Sequence, residues 1–319
     1  MNNSIDEVVR LLKNSKKVGV FCHSRPDGDA LGGMLALTVA LRNAGKYAVA
    51  FCEDEPPEKF SFLSAMQEVK TTFLSNEYDL FVSVDCADLA RMGSFAKAYS
   101  KFKGTTLNID HHISNTQFAK YNFVNECPAS CQILSDILKE CKFDISKEVA
   151  DLLMLGLITD SGNFVHSDVT AKTFQTAAQL REKGADITTI NYYMYQRQPK
   201  ERAELYGRVM KNIHFAHEDK FAYIIISAKD LKESGADNSM TEGFVDFPLT
   251  VDGVEVSAAI LEFKEGQYKT SLRSKGKVNV NAVASTFGGG GHVLASGCML
   301  YGSLEEVIDK LSYAVYQNL

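Results

Sequence analysis

Three short apolar runs, each ending abruptly on acidic or imidazole residues, constrain this chain more than any other feature. Val18-Gly19-Val20-Phe21-Cys22 runs into His23-Ser24-Arg25-Pro26-Asp27-Gly28-Asp29, Leu80-Phe81-Val82-Ser83-Val84 into Asp85, and Thr105-Thr106-Leu107-Asn108-Ile109 into Asp110-His111-His112. The stretches between such strand-like runs have helical spacing, and strands alternating with helices predict an α/β fold with a mostly parallel sheet and helices on both faces. In that architecture the carboxyl ends of the strands share one edge, where ligands bind. A helix over 147–158 runs into Asp160. Three strand ends and one helix end therefore direct carboxylates and imidazoles toward one place.

In chain order, Ser4-Ile5-Asp6-Glu7 reads as a capping box opening a helix to about residue 13. Helices are expected over 30–43, 130–141 and 170–183, with Gly45 and Gly184 as stops. A second strand is expected over 48–52. Residues 186–212 form a polar helical stretch interrupted by Pro199, read as a connector, whose Tyr192, Tyr193, Tyr195 and Tyr206 are better explained as packing than as a base-stacking surface. Beyond it, strands over 221–227, 254–263 and 268–274 and helices over 278–287 and 303–316 indicate a smaller mixed α/β domain. The domain organisation is thus 1–185, a connector over 186–212, and 213–319.

The length of 319 residues suits two domains. A formal net charge of −6 excludes a broad basic face that coats nucleic acid, though not a short oligonucleotide held in a local basic pocket. The seven cysteines form no CxxC pair and read as buried reduced thiols. With no signal-peptide pattern and no apolar stretch long enough to span a bilayer, a cytoplasmic protein is expected.

His23, Asp27, Asp29, Asp85, Asp110, His111, His112 and Asp160 supply enough ligands for two divalent ions. Two ions about 3.5–4 Å apart sharing a carboxylate are suited to in-line displacement at phosphorus, and Asp85, alone at its strand end, is the natural bridge. Carboxylates with only two imidazoles suit Mn²⁺ or Mg²⁺ better than zinc. Each residue has a plainer reading by itself: Asp29, Asp85 and Asp160 as helix caps, Asp110 as a partner orienting a histidine. Their convergence is what favours the metal reading. In the second domain, Arg273 offers a planar fork to a phosphate beside Ser274 and Lys275, and Gly288, Gly289, Gly290, Gly291 and His292 are read as a backbone cradle for an anion rather than a flexible turn.

The set His23-x-x-x-Asp27-x-Asp29, Asp85, Asp110-His111-His112 and Asp160 resembles the four motifs of the DHH phosphoesterase superfamily. Arg273-Ser274 and Gly288-Gly289-Gly290-Gly291-His292 resemble its DHH-associated C-terminal domain. Within the superfamily the chain is most similar to the compact bacterial nanoRNases that also dephosphorylate 3′-phosphoadenosine 5′-phosphate (pAp). The resemblance implies one Mn²⁺ on His23, Asp27 and Asp85 and a second on Asp29, Asp85, His111 and Asp160, with Mg²⁺ or Co²⁺ as substitutes. It implies catalytic roles for His112, Asp110 and Asp85: His112 faces the scissile phosphate, supported by Asp110. Two departures are visible: Gly28 stands where the subgroup often has proline, and Ser296 where an alanine usually follows the Gly-His segment.

The function so implied is Mn²⁺-dependent hydrolysis of short RNA or DNA oligonucleotides to mononucleotides, and of pAp to AMP, by two-metal in-line attack between the two domains. Partners are those oligonucleotides and nucleotide phosphates, with no long duplex and no membrane, and a second copy of the chain as a candidate. The alternatives are a soluble cyclic-dinucleotide or pApA phosphodiesterase and, in another class, a non-catalytic nucleotide sensor, which would be expected to have lost ligands.

Overall fold

In a computed structural model, described over residues 2–73 and 77–319, the chain divides into two compact units, Met1–Arg197 and Gln198–Leu319. The first contains α1 (Ile5–Asn14), β1 (Lys17–Phe21), α2 (Gly28–Asn43), β2 (Tyr47–Phe51), β3 (Leu80–Val84), α3 (Ala96–Lys101), β4 (Thr105–Asp110), β5 (Tyr121–Val124), α4 (Ser130–Glu140), α5 (Lys147–Asp160), α6 (Ala171–Glu182) and α7 (Ile187–Asn191). The Ser4–Glu7 capping box expected at the start of α1 is present. All strands of this sheet are parallel, in the order β2-β1-β3-β4-β5. The chain moves outward from β1 to β2 and then resumes on the other side of β1 with β3. That reversal leaves a crevice at the carboxyl ends of β1 and β3.

Strand alternation gives the sheet two chemically different faces. Val18, Val20, Ala50, Val82 and Ile109 share an aliphatic core with α1, α2, α4 and α5. Phe21, Phe51 and Phe81 point the other way, into an aromatic cluster with Phe95 and Tyr99. The Phe21 ring centroid lies 5.2 Å from that of Phe51 and 4.9 Å from that of Phe81.

Helix α2 is buried from Gly28 to Leu41, as a helix apolar on all sides must be. It packs on α5 at backbone contact. A Cβ on Gly32 would sit 2.4 Å from the Leu152 carbonyl oxygen, one on Gly28 2.4 Å from Thr159 Oγ1, and one on Gly156 2.5 Å from Asp29 Oδ1. Two details of the sequence reading are corrected by this geometry. The helix begins at Gly28 rather than Ala30, and its capping residue is Asp27, whose Oδ1 accepts from Asp29 N at 3.1 Å and Ala30 N at 3.0 Å. The left-handed backbone in the loop belongs to Arg25, at φ 51°. Gly28 is helical, and what it provides is room for Thr159.

The short strand β5 has no counterpart in the sequence reading because Tyr121-Asn122-Phe123-Val124 is a brief run among polar neighbours. Its outer edge is covered by the N-terminal segment: Asn3 N donates to Asn122 O at 2.7 Å and Val124 N donates to Asn2 Oδ1 at 2.8 Å.

The stretch 186–212 is divided between the units. Helix α7 and a π-helical turn over Tyr192–Gln196 lie in the first, where Tyr193 stacks on Phe62 at 4.4 Å. The second unit starts with α8 (Lys200–Met210), where Tyr206 meets Phe244 edge-on. It continues β6 (His214–Ala216), β7 (Phe221–Ile226), α9 (Ala228–Ser234), α10 (Asp246–Leu249), β8 (Val256–Lys264), β9 (Gln267–Ser274), α11 (Val280–Ser285), β10 (Gly290–Gly291), β11 (Ala295–Tyr301) and α12 (Leu304–Tyr316). Its mixed sheet runs β10-β11-β9-β8-β7-β6, with α11 and α12 packed on one face and α8 on the other. All seven cysteines are free. Among the described residues, no helix is long and apolar enough to cross a membrane.

The α2–α5 contact yields a paired prediction. Gly32→Ala, which drives a Cβ against backbone, lowers stability by about 1–3 kcal/mol despite the better helix former. Gly207→Ala in α8, where nothing lies within 4 Å of the new Cβ, raises it by up to about 1 kcal/mol. Shifts of the urea unfolding midpoint measure both.

Candidate metal centre

The ends of β1, β3 and β4, with the start of α2 and the end of α5, bring six of the eight predicted residues into two adjoining clusters. His23, Asp27 and Asp85 form one, and Asp29, His111 and Asp160 the other; within each cluster one ligand atom per residue lies within 4.8 Å of the rest. Asp85 faces both: Oδ2 is 3.5 Å from His23 Nε2 and Oδ1 is 3.4 Å from His111 Nε2. His111 Nε2 is also 3.2 Å from Asp160 Oδ2. His112 joins Asp85 and His111 in a third, overlapping group, and the eighth residue, Asp110, stands behind it.

The three histidines share one arrangement. Nδ1 of His23 donates to the Ser24 carbonyl at 2.8 Å, Nδ1 of His111 to the Cys127 carbonyl at 2.8 Å, and Nδ1 of His112 to Asp110 Oδ1 at 2.8 Å. Fixing Nδ1 as the donor leaves each Nε2 as the ligating or substrate-facing nitrogen. His23 Nε2 is buried with no hydrogen-bond partner. Its 3.6 Å to Asp27 Oδ2 and 3.5 Å to Asp85 Oδ2 are too long for hydrogen bonds and short enough for all three atoms to reach one cation. This orphaned nitrogen among carboxylates is the observation that fits a divalent ion, and the mixed oxygen and imidazole donors suit Mn²⁺ or Mg²⁺.

The electrostatics agree. Burial opposes charge on His23, but the Asp27 and Asp85 carboxylates outweigh it and push the imidazole up to about 10. His111 is likewise pushed up to about 10, against burial, by Asp85 and Asp29. Burial would raise Asp85, yet His111 and His23 outweigh it and hold the carboxyl well below its usual range. Burial, and then the charge of Asp85, push Asp160 up to about 7 and raise Asp29 as well. The carboxylates thus compete for too little positive charge, which is the deficit that cations fill.

Two supports lie outside the predicted set. The N-terminal amides of α4 have no capping side chain, because the N-cap is Ala129. Asp29 takes that role from α2: Ser130 N donates to Oδ2 at 2.6 Å and Cys131 N to Oδ1 at 3.0 Å. The Ser130 hydroxyl donates to Asp85 Oδ1 at 3.1 Å, so the first turn of α4 orients one carboxylate from each cluster. Asn115 Nδ2 donates to Asp110 Oδ2 at 2.5 Å and to Asn108 Oδ1 at 2.9 Å, fixing the carboxylate behind His112. Ser130 at the start of a helix has the outward signal of an ordinary cap, and nothing local ties it to Asp85, 45 residues earlier.

In the second unit, Arg273 lines a cavity of about 320 Å³ together with Lys269, Ser271, Asn238 and Thr241. Its Nε is 3.1 Å from Asp246 Oδ1. Ser274 is turned away, its Oγ accepting from Gly276 N at 3.0 Å, and Lys275 Nζ donates to the Val251 carbonyl at 3.3 Å. The glycine run is a tight hairpin. Gly288 N, Gly289 N and His292 N donate to the carbonyls of Ser285, Ala284 and Ala295. A Cβ on Gly289 would lie 2.3 Å from Gly297 O, so the run is glycine-rich partly to let its own strands meet. His292 and Ala295 exchange both backbone bonds, so Gly291 and Ser296 form the non-bonded pair and the Gly291 N–H points out of the ladder. Ala295 pairs with Arg273, which places this turn and the guanidinium at one end of the sheet.

Comparison with known proteins follows the same division. Residues 17–157 match the DHH family, N-terminal domain, and residues 218–318 match the DHHA1 domain. The chain is 29% identical over 300 residues (93% of this chain, 88% of the relative) to the bifunctional oligoribonuclease and PAP phosphatase NrnA of Thermus thermophilus. An exopolyphosphatase-related protein from Bacteroides fragilis superposes with a TM-score of 0.86 at 25% identity, covering 98% of this chain and 95% of that one. The exonuclease RecJ bound to manganese shares the fold at a TM-score of 0.54 and 15% identity, over 99% and 95% of the two chains.

Ser130→Ala in chelator-stripped protein is expected to weaken Mn²⁺ binding about tenfold or more, the usual effect of removing a group that orients a ligand, while Ser130→Thr retains most of it. Isothermal titration calorimetry measures this, and unchanged affinity in the alanine variant would limit Ser130 to packing.

Proposed function

The chain belongs to the DHH family, with a DHH N-terminal domain followed by a DHHA1 domain, and on that premise we propose that it is a Mn²⁺-dependent phosphohydrolase of short oligonucleotides and pAp. Water splits pApA into two AMP, and pAp into AMP and inorganic phosphate. The observation that carries this reading is the Asp85 carboxylate, with one oxygen toward each cluster. Similarity to an oligoribonuclease and PAP phosphatase over 93% of the chain supports the substrate class.

His23, Asp27 and Asp85 would hold one ion, and Asp29, Asp85, His111 and Asp160 the other. Such ions, when bound, neutralise phosphoryl charge and lower the pKa of a nucleophilic water. The remaining work falls to the protein. Asp110 raises the pKa of His112 against the effect of burial, which favours the charged ring, whose Nε2 would donate to a phosphoryl oxygen as charge develops. Asn115 and Asp110 keep that ring from turning. Arg273 presents a planar fork suited to a second phosphate, with Asp246 holding it in place until an anion replaces the carboxylate. Gly291 N–H and His292 offer further donors at the same end of the sheet.

The test is product analysis with Mn²⁺ on pAp, pApA, a diribonucleotide, an RNA of about 24 nucleotides and pyrophosphate. AMP from pAp and mononucleotides from the dinucleotide are expected; preference for the long RNA or for pyrophosphate would overturn the reading. Asp85→Ala abolishes every activity, whereas Arg273→Ala raises KM about tenfold with kcat less affected, as expected for loss of a charge-assisted bond of roughly 1.5 kcal/mol.

A further inference from the structure

The His23 ring is held through a single peptide group, and that group is itself held by a carboxylate. Nδ1 of His23 donates to the Ser24 carbonyl at 2.8 Å, and the N–H of the same peptide, on Arg25, donates to Asp54 Oδ2 at 2.6 Å. Asp54 is half-buried and follows β2. β1 and β2 pair in parallel with Phe21 opposite Phe51, so the segments carrying Ser24 and Asp54, each three residues beyond that pair, leave the same end of the sheet.

This bond does two things. Arg25 has a φ of 51°, a conformation that a residue with a side chain keeps only where its surroundings over-determine it. Ser24 N–H donates to Arg91 O at 2.7 Å, and the charge-assisted bond to Asp54 fixes the next N–H along, so the turn that leads to Asp27 is pinned at two successive amides. Hydrogen bonds in series also strengthen one another: a peptide whose N–H faces a carboxylate is a better acceptor at its carbonyl. A firmer bond to Nδ1–H holds the ring and makes Nε2 a stronger donor to a metal. The other two histidines are backed differently. His112 meets the Asp110 carboxylate directly. The Cys127 carbonyl behind His111 belongs to a peptide with Pro128, which has no N–H to receive such help.

We propose that Asp54 is a positioning residue for the ion of the His23 cluster, acting through the Ser24–Arg25 peptide to fix the His23 ring and strengthen its Nε2 as a ligand. The assignment rests on the metal-dependent reading of the site. It makes the two ions unequal in their dependence on Asp54: the ion on His23, Asp27 and Asp85 feels its loss, and the ion on Asp29, His111 and Asp160 does not.

The experiment titrates Mn²⁺ by calorimetry into chelator-stripped wild type, Asp54→Ala, Asp54→Asn and Glu55→Ala, and follows the His23 Nδ1–H proton by NMR in the same proteins, metal-free and labelled with ¹⁵N-histidine. In Asp54→Ala one of the two ions binds about tenfold more weakly, the usual effect of removing a group that orients a ligand; the other ion is unaffected, and the proton moves upfield. Asp54→Asn has the same shape and keeps an acceptor oxygen without the charge, so it guards against a folding defect; its loss is only about threefold. Glu55→Ala removes a charge one residue further on and matches wild type. An unchanged affinity or an unmoved proton in both Asp54 variants overturns the proposal, as does equal weakening of both ions, and each leaves the phosphohydrolase reading standing. If wild type takes up no Mn²⁺, that reading fails, and the proton then decides the role of Asp54 in holding His23: an upfield shift in Asp54→Ala supports it, and an unmoved signal overturns it.

Discussion

Asp85 holds a dehydrated carboxylate between the imidazoles of His23 and His111, on a backbone forced to a φ of 55°. That conformation is unfavourable for a residue with a side chain and persists only where its surroundings over-determine it. Here they do: its own N–H donates to Ile109 O at 3.0 Å, and Ser130 donates to its Oδ1 at 3.1 Å. The sharp turn after β3 allows a strand to end with its carboxylate facing the crevice instead of continuing along the edge. Both clusters share this one group.

The clusters meet because α2 and α5 cross at backbone contact. Gly28, Gly32 and Gly156 remove the side chains that would hold the two helices apart, and the helices carry Asp29 and Asp160 toward His111. The aliphatic core on that face of the sheet binds α2, α4 and α5 together, so packing forces meet the cost of crowding like charges. The first turn of α4 then uses its unsatisfied amides to offset part of the repulsion at Asp29. Hydrophobic packing, helix capping and ligand orientation are therefore one arrangement in this unit.

The second unit solves a different problem. Its glycine run serves first to bring β10 against β11, and the Gly291 N–H points out of the ladder at the end of the sheet where Ala295 pairs with Arg273. Alternation along β9 sends Thr270 and Leu272 into the core, while Lys269, Ser271 and Arg273 line the cavity on the opposite face. Ser274, next to Arg273 in sequence, is by the same alternation on the core side.

Much of this was legible in the residues themselves. Strand endings at His23, Asp85 and Asp110 follow from apolar runs of fixed length, and parallel topology sends those endings to one edge, so the eight candidate residues could be named from strand and helix ends and the chemistry of their donors. The role of Gly28, the capping by Asp27 and the service of Ser130 to Asp85 could not, because each depends on a partner far away in the chain. The same holds for Gln132, which reads as an ordinary polar helix position until burial leaves its Oε1 without a hydrogen-bond partner. Sequence determined which chemical groups reach the sheet edge, since that depends on local periodicity. Tertiary structure alone decided which carboxylate faces which imidazole and which polar atoms are left unpaired, since those depend on how closely two helices can approach.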